Sequence, residues 1–148
     1  MNNKIPPPIV ALTCALGIFF SKPFFKEFSN ANNASISILF FLTGMVCLLL
    51  SVKLFNKYKT TINPLQPEKA TSLVTSGIYM YSRNPMYLGM LFILISAAIR
   101  FNIIGGFFAI SIFIVFITKF QIIPEEAKLN KIFGEKFIEY KKKTRMWL

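Results

Sequence analysis

Apolar residues gather in blocks along the chain, each bounded by Lys, Arg, Pro or a polar cluster. The hydrocarbon core of a bilayer is about 30 Å thick and takes roughly 20 helical residues at about 1.5 Å each, so block length separates membrane spans from surface helices. Four spans are predicted. The first, Ile9 to Phe20, is short and follows Pro6, Pro7 and Pro8, which suit a first turn and not a helix interior. Behind Lys4 it also has the position of a signal peptide, but Lys22-Pro23-Phe24-Phe25 follows in place of a small-x-small cleavage site, so it reads as an uncleaved anchor. The second, Ile36 to Val52, is apolar apart from small or hydroxyl residues and stops before Lys53 and Lys57. Met86 to Thr118 is too long for one crossing and is interrupted by Arg100, Asn102, Gly105 and Gly106. It predicts a helical hairpin: a short arm from Met86 to Ile99, tilted or partly re-entrant, a turn at Arg100, and a full span from Ile103 to Ile123.

The polar stretch from Lys53 to Pro85 is punctuated by Pro64, Pro67, Gly77 and Pro85 and is too long for a passive connector. Leu73, Val74, Ile78, Tyr79, Tyr81 and Tyr87 near its end argue for order. After the fourth span, Pro124 follows Ile123 with no capping residue before it, which predicts a proline kink in a continuing helix. Leu129, Ile132, Phe133, Phe137 and Tyr140 then recur at spacings of three and four with Lys and Glu between them, the pattern of an amphipathic helix lying on the membrane or on the rest of the protein. The expected fold is all-α. It is one domain over residues 1–148, an integral membrane bundle of about four transmembrane helices with cytoplasmic segments 53–85 and 124–148 and an amphipathic C-terminal helix.

Composition sharpens this. Of 148 residues 54% are hydrophobic, yet 17 Lys and Arg face only 6 acidic residues, a net charge of +11. Four spans put fourteen basic residues on the side of both termini and the middle segment, against Lys22, Lys26 and Arg100 on the other. Basic residues are retained in the cytoplasm, so both termini are expected on the cytoplasmic side of the inner membrane. The absence of His excludes triads, zinc sites and haem ligation that depend on imidazole, and two Cys do not make a thiolate metal cage. No metal is expected. Cys14 and Cys47 lie in apolar spans as small hydrophobes. Lys141-Lys142-Lys143 with Arg145 and Trp147 reads as an anchor to anionic lipid; tethered beside the bilayer, it is not read as a nucleic-acid site.

Two polar clusters, Thr71 to Tyr87 and Gln121 to Leu129, share the cytoplasmic mouth of this bundle. Arg83 lies just before a membrane helix and Glu125 and Glu126 just after one, where an unpaired charge is costly. An ion pair between Arg83 and either glutamate, locking two helix ends, is one use of them; a ligand site is the other. No Gly-x-Gly-x-x-Gly follows a strand, which leaves out a soluble Rossmann-type cofactor site.

The stretch Leu73-Val74-Thr75-Ser76-Gly77-Ile78-Tyr79, then Arg83-Asn84-Pro85-Met86-Tyr87-Leu88-Gly89, and later Glu125-Glu126-Ala127-Lys128-Leu129 with Phe133-Gly134-Glu135-Lys136-Phe137-Ile138-Glu139-Tyr140, resembles the isoprenylcysteine carboxyl methyltransferase and phospholipid methyltransferase group of integral membrane enzymes, in its bacterial form. Order and spacing agree from about Asn63 to Trp147. The resemblance implies S-adenosylmethionine-dependent methyl transfer to a lipophilic small-molecule or lipidated acceptor at the membrane. It puts cofactor contacts on Thr71, Ser72, Leu73 and Val74, on Tyr79, on Asn84, Pro85, Met86 and Tyr87, and on Glu125. Arg83, Asn84, Glu125 and Glu126 are the candidate catalytic residues and Gln121 the candidate acceptor contact. The residue types suit the ligand: Arg83 and backbone N–H groups for a carboxylate, Glu125 for hydroxyls or an ammonium, Tyr79 and Tyr87 for adenine or the sulfonium. Two positions depart from the pattern. Asn84 stands where the group has His, and Gln121 where the carboxyl methyltransferases have an Arg. An amine acceptor is the alternative to a carboxylate. A non-enzymatic small membrane protein and a nicotinamide-dependent reductase are readings from other classes; all six Glu fall outside the spans, which disfavours an exporter.

Overall fold

The structure is a computed structural model that describes residues 5–25, 32–60 and 70–148. Lys4, Lys26, Asn63, Pro64, Pro67 and Lys69 lie outside the described residues. The elements are α1 (Pro7–Phe20), a 3-10 turn (Lys22–Phe24), α2 (Asn32–Lys57), a second 3-10 turn (Gly77–Met80), α3 (Pro85–Phe101), α4 (Ile103–Ile117), a π turn (Thr118–Ile122), α5 (Ile123–Phe133) and α6 (Glu135–Lys143). Three stretches are long and apolar enough to cross a membrane, Pro7–Phe24, Asn33–Lys57 and Ile103–Phe133, while α3 is a shorter apolar helix. The all-α membrane bundle inferred from the sequence is the fold observed.

Four details differ from the sequence expectation. Helix α2 extends beyond Ile36 to Val52 at both ends, because a helix need not stop where apolar character stops. The hairpin turn falls at Asn102, not Arg100: the Asn102 side-chain oxygen accepts the Gly105 N–H at 2.7 Å as an N-cap, whereas Arg100, a good helix former, stays in the last turn of α3. The chain does run on past Pro124, but the irregularity precedes the proline. Pro124 has no N–H to donate and its ring crowds the carbonyl four residues back. A wider turn, in which the Ile123 N–H reaches the Thr118 carbonyl, absorbs the mismatch. Finally, the C-terminal amphipathic stretch is two helices. Gly134 adopts φ 52° and ψ −125°, a conformation that favours glycine, so Phe137 and Tyr140 turn inward while Ile132 is exposed.

Helix α3 is the hub, packing against α1, α2 and α4. Its contact with α2 is backbone-close: a Cβ on Gly44 would lie 2.7 Å from the Gly89 carbonyl oxygen, and one on Gly89 would lie 2.8 Å from that of Gly44. A turn or two away, Ser96 Oγ donates to the Ser37 carbonyl at 2.7 Å and Ser37 Oγ reaches the Ser96 carbonyl at 3.1 Å, satisfying polar groups between spans. Against α4, a Cβ on Gly106 would overlap Ala98. Ile18, Leu94, Phe113, Ile117 and Ile122 fill the space among α1, α3 and α4. Outward faces such as Leu39, Leu49, Phe107 and Ile112 are exposed, as lipid-facing residues are. Cys14 and Cys47 are free thiols. At the α3–α4 turn the Lys22 ammonium lies 5.0 Å from the Phe19 ring centre and 4.6 Å from that of Phe101. The starts of α1 and α3, the end of α2, and α5 and α6 contribute to a cavity at the other end.

Candidate functional site

The site is built where the segment before α3 meets the chain after α4. Residues 144–147 run beside residues 80–84 and clasp them. The Arg83 N–H donates to the Arg145 carbonyl at 2.9 Å, within an isolated parallel bridge of Ser82 and Arg145. Asn84 Nδ2 donates to the Met146 carbonyl at 3.0 Å, and the Ser82 and Thr144 hydroxyls make longer bonds of 3.4 Å across the same seam. Tyr140 Oη donates to the Tyr79 carbonyl at 2.6 Å. Trp147 Nε1 reaches Thr118 Oγ1 at 3.3 Å, tying the tail to the π turn. On the other flank, Ser72 Oγ donates to the Tyr58 carbonyl at 3.1 Å and Thr71 Oγ1 to that of Lys59 at 3.0 Å, holding residues 71 and 72 on the end of α2.

The two adjacent glutamates have different tasks. Glu126 takes Arg83: Nε and Nη2 both stand 2.8 Å from Oε1, with Lys141 Nζ 2.9 Å from Oε2. The remaining terminal nitrogen, Nη1, donates to the Thr144 carbonyl. The locking ion pair anticipated in the sequence therefore forms, with Glu126 as its carboxylate. Glu125 is left for the cavity, and its Oε2 accepts the Tyr87 hydroxyl at 2.9 Å. Burial pushes the Tyr79 and Tyr140 hydroxyls above the ordinary tyrosine range; for Tyr140 the Arg83 charge opposes this and Glu126 adds to it. Both stay neutral donors at neutral pH.

A cavity of about 340 Å³, within the range of small-molecule sites, lies among these groups. Of the residues singled out from the sequence, Ser72, Leu73, Val74 and Tyr79 line it from the middle segment. Arg83, Asn84, Met86 and Tyr87 line it from the start of α3, and Glu125 and Glu126 from α5. Thr71 and Pro85 are not on its wall; each supports the backbone beside it. Gln121 is not on the wall either. It is buried on the π turn, 3% exposed, beside Tyr87, and its Oε1 has no hydrogen-bond partner among the described residues. Sequence reasoning did not place Pro6 to Pro8, Phe55, Met90, Phe137 or Tyr140 at the site. Phe137 and Tyr140 carried a signal, since both sit on the apolar stripe of the C-terminal stretch; the prolines announced only a helix start.

The sequence profile of phospholipid methyltransferases matches residues 33–136. Human protein-S-isoprenylcysteine O-methyltransferase is 26% identical over 148 positions, covering 97% of this chain and 51% of the human protein. The Schizosaccharomyces pombe protein of the same name is 35% identical over 75 residues, 49% of this chain and 30% of the yeast protein. An uncharacterized Haemophilus influenzae protein is 38% identical over 63 residues, 43% of this chain and all of that protein. The chain spans about half the length of the mammalian relatives it matches. No solved structure matches it. With the profile covering most of the chain and the motif residues gathered around one cavity, this protein belongs to the phospholipid methyltransferase family.

Proposed function

We propose that the chain is a methyltransferase that binds S-adenosylmethionine in this cavity and methylates a lipophilic or membrane-associated acceptor, an isoprenylcysteine-type carboxylate by analogy with the relatives' names. The observation that carries this is the division of labour between the glutamates. Arg83 and Lys141 neutralise Glu126, while Glu125 offers a carboxylate to the cavity beside the rings of Tyr79 and Tyr87. A carboxyl group next to aromatic faces fits a ligand that carries hydroxyls, an ammonium and a sulfonium. Such a ligand supplies an activated methyl group. The chain's part is positioning: Tyr87 fixes the Glu125 carboxylate, the clasp fixes Arg83 and Asn84, and buried walls exclude water. Positioning of this kind supplies much of the barrier reduction for a displacement at carbon.

Asn84 does not shuttle protons at neutral pH as a His does, which favours an acceptor that arrives ionised, such as a carboxylate or thiolate. The neutral Gln121, in place of a cation, favours the second reading, a phospholipid amine as acceptor. The basic-residue count supports both termini and the cavity mouth on the cytoplasmic side, the side from which the cofactor is supplied.

Calorimetry on purified protein with S-adenosylhomocysteine tests the cofactor assignment. Binding to wild type that Glu125→Ala weakens supports it; no binding to wild type refutes it. Membranes incubated with radiolabelled S-adenosylmethionine then decide the acceptor, since label in an alkali-labile ester marks a carboxylate and label in phospholipid headgroup marks an amine.

A further inference from the structure

Helix α6 has two faces. Phe137 and Tyr140 are buried on its inner face and line the cavity. Lys141 serves that side as well, with Nζ 2.9 Å from Glu126 Oε2 and 5.8 Å from the Phe137 ring centre. The run Lys141-Lys142-Lys143 therefore divides. Lys141 belongs to the ion-pair network of the site, while Lys136, Lys142, Lys143 and Arg145 are exposed and make no ion pair among the described residues. Glu135 and Glu139 are the acidic residues of this stretch, too few to balance it. The negative end of the helix dipole favours cations in the last turn of α6, but Arg145 lies beyond that turn. An anion from outside the chain is what these side chains lack.

Trp147 sets the height of this surface. Its Nε1 reaches Thr118 Oγ1 at 3.3 Å, on the π turn that follows α4. From Ile103 to Ile122 the apolar stretch covers about 30 Å at roughly 1.5 Å per residue, the thickness of the hydrocarbon core, so Thr118 and Trp147 stand near its edge. Trp and Tyr are enriched at that depth, and Tyr81, on the other side of the clasp, is exposed. Ile138 is exposed on α6 among the cations, a mixture that suits a lipid boundary and not a soluble polyanion.

We propose that the outer face of α6 and the tail after it form a docking surface for the anionic phospholipid headgroups of the surrounding leaflet, held by Lys136, Lys142, Lys143 and Arg145. Ammonium and guanidinium groups pair with a phosphodiester that has no cation of its own, and a zwitterionic headgroup attracts them less. Because the inner face of the same helix is cavity wall, docking also fixes the height of the cavity in the leaflet. The proposal stands whichever ligand the cavity takes.

Trp147 is the single Trp of the chain and reads the surface directly. The full chain is reconstituted in phosphatidylcholine vesicles, and a rising fraction of the host lipid is replaced by phosphatidylglycerol or phosphatidylcholine brominated high on its acyl chains. Half-quenching of Trp147 fluorescence is expected at a fraction of brominated phosphatidylglycerol at least about fivefold lower than of brominated phosphatidylcholine, the factor that one basic residue contributes near an anionic surface. The preference should shrink in about 1 M salt, where the screening length is about 3 Å. The triple variant Lys142→Gln, Lys143→Gln, Arg145→Gln should lose it while keeping the wild-type response to brominated phosphatidylcholine, which shows Trp147 still at its depth. Lys53→Gln with Lys57→Gln, exposed cations on α2, should retain it. Equal quenching of wild type by the two lipids, or equal loss of preference in both variants, overturns the proposal. Displacement of the brominated phosphatidylglycerol by soluble glycerol phosphate also overturns it, in favour of a discrete phosphate pocket.

Discussion

Removing the Glu126 carboxylate tests how the site is held together. In Glu126→Ala, the Arg83 guanidinium keeps its bond to the Thr144 carbonyl but loses both contacts to Oε1. The Arg83 and Glu126 side chains are each 9% exposed, so the cation left behind is largely out of water. Breaking such a pair from one side costs about 3 to 5 kcal/mol. The Lys141 side chain is 44% exposed, and solvent screening limits that arm of the network to about 0 to 1 kcal/mol. Glu126→Ala is therefore expected to lower the midpoint of thermal unfolding by roughly 6 to 20 °C, at 2 to 4 °C per kcal/mol for a chain of this size, and Lys141→Ala by a few degrees at most. Circular dichroism in one detergent, at a fixed scan rate, measures both. The double variant Arg83→Met with Glu126→Leu removes the stranded charge and should recover most of the loss. Equal shifts for Glu126→Ala and Lys141→Ala would refute the claim that the inner pair carries the energy.

Other predictions concern single contacts. Tyr87→Phe takes the hydroxyl from Glu125 and, at about 0.5 to 1.5 kcal/mol for a hydrogen bond, should weaken S-adenosylhomocysteine binding by roughly two- to twelvefold in calorimetry without unfolding the bundle. Gly89→Ala drives a methyl group toward the Gly44 carbonyl and the Leu48 side chain, and should destabilise by about 1 to 3 kcal/mol in a thermal or denaturant assay. The buried Tyr140 hydroxyl has its pKa raised in the folded state, so its contribution is complete below the ordinary tyrosine value of about 10 and is lost as pH climbs beyond it. Stability should fall on the alkaline side, and Tyr140→Phe should be less stable at neutral pH yet show a flatter alkaline decline.

Much of this architecture could be read without coordinates, because block length and the clustering of Lys and Arg are direct consequences of the bilayer as solvent. The spans were legible for that reason, and so were the two polar clusters at their mouths. What the spacing left open was which glutamate meets Arg83. That choice depends on the rotation of α5 about its axis, which the π turn sets, and hydrophobic periodicity carries no sign of an inserted wide turn. The break at Gly134 was hidden because the apolar spacing continues across it. Pro6 to Pro8 were invisible as cavity wall: nothing in a local pattern says that the start of α1 comes to line one cavity with Met86 and Met90. Asn84 illustrates the opposite. The sequence singled it out, but only the structure shows it on the cavity wall and gives its amide a partner, the Met146 carbonyl.

The clasp between residues 80–84 and 144–147 also bears on how the protein is made. Arg83 and Thr144 are 61 positions apart, so at about 5 to 20 residues per second translation delivers the second partner roughly 3 to 12 seconds after the first. During that interval all four hydrophobic helices can enter the lipid while Arg83 is still without Thr144, and pocket closure becomes a late event distinct from insertion. A nascent chain that reaches the membrane without Thr144 would hold its helices in lipid around an unclasped cavity, with an accessible stretch ahead of α3 that cellular quality control would have to recognise.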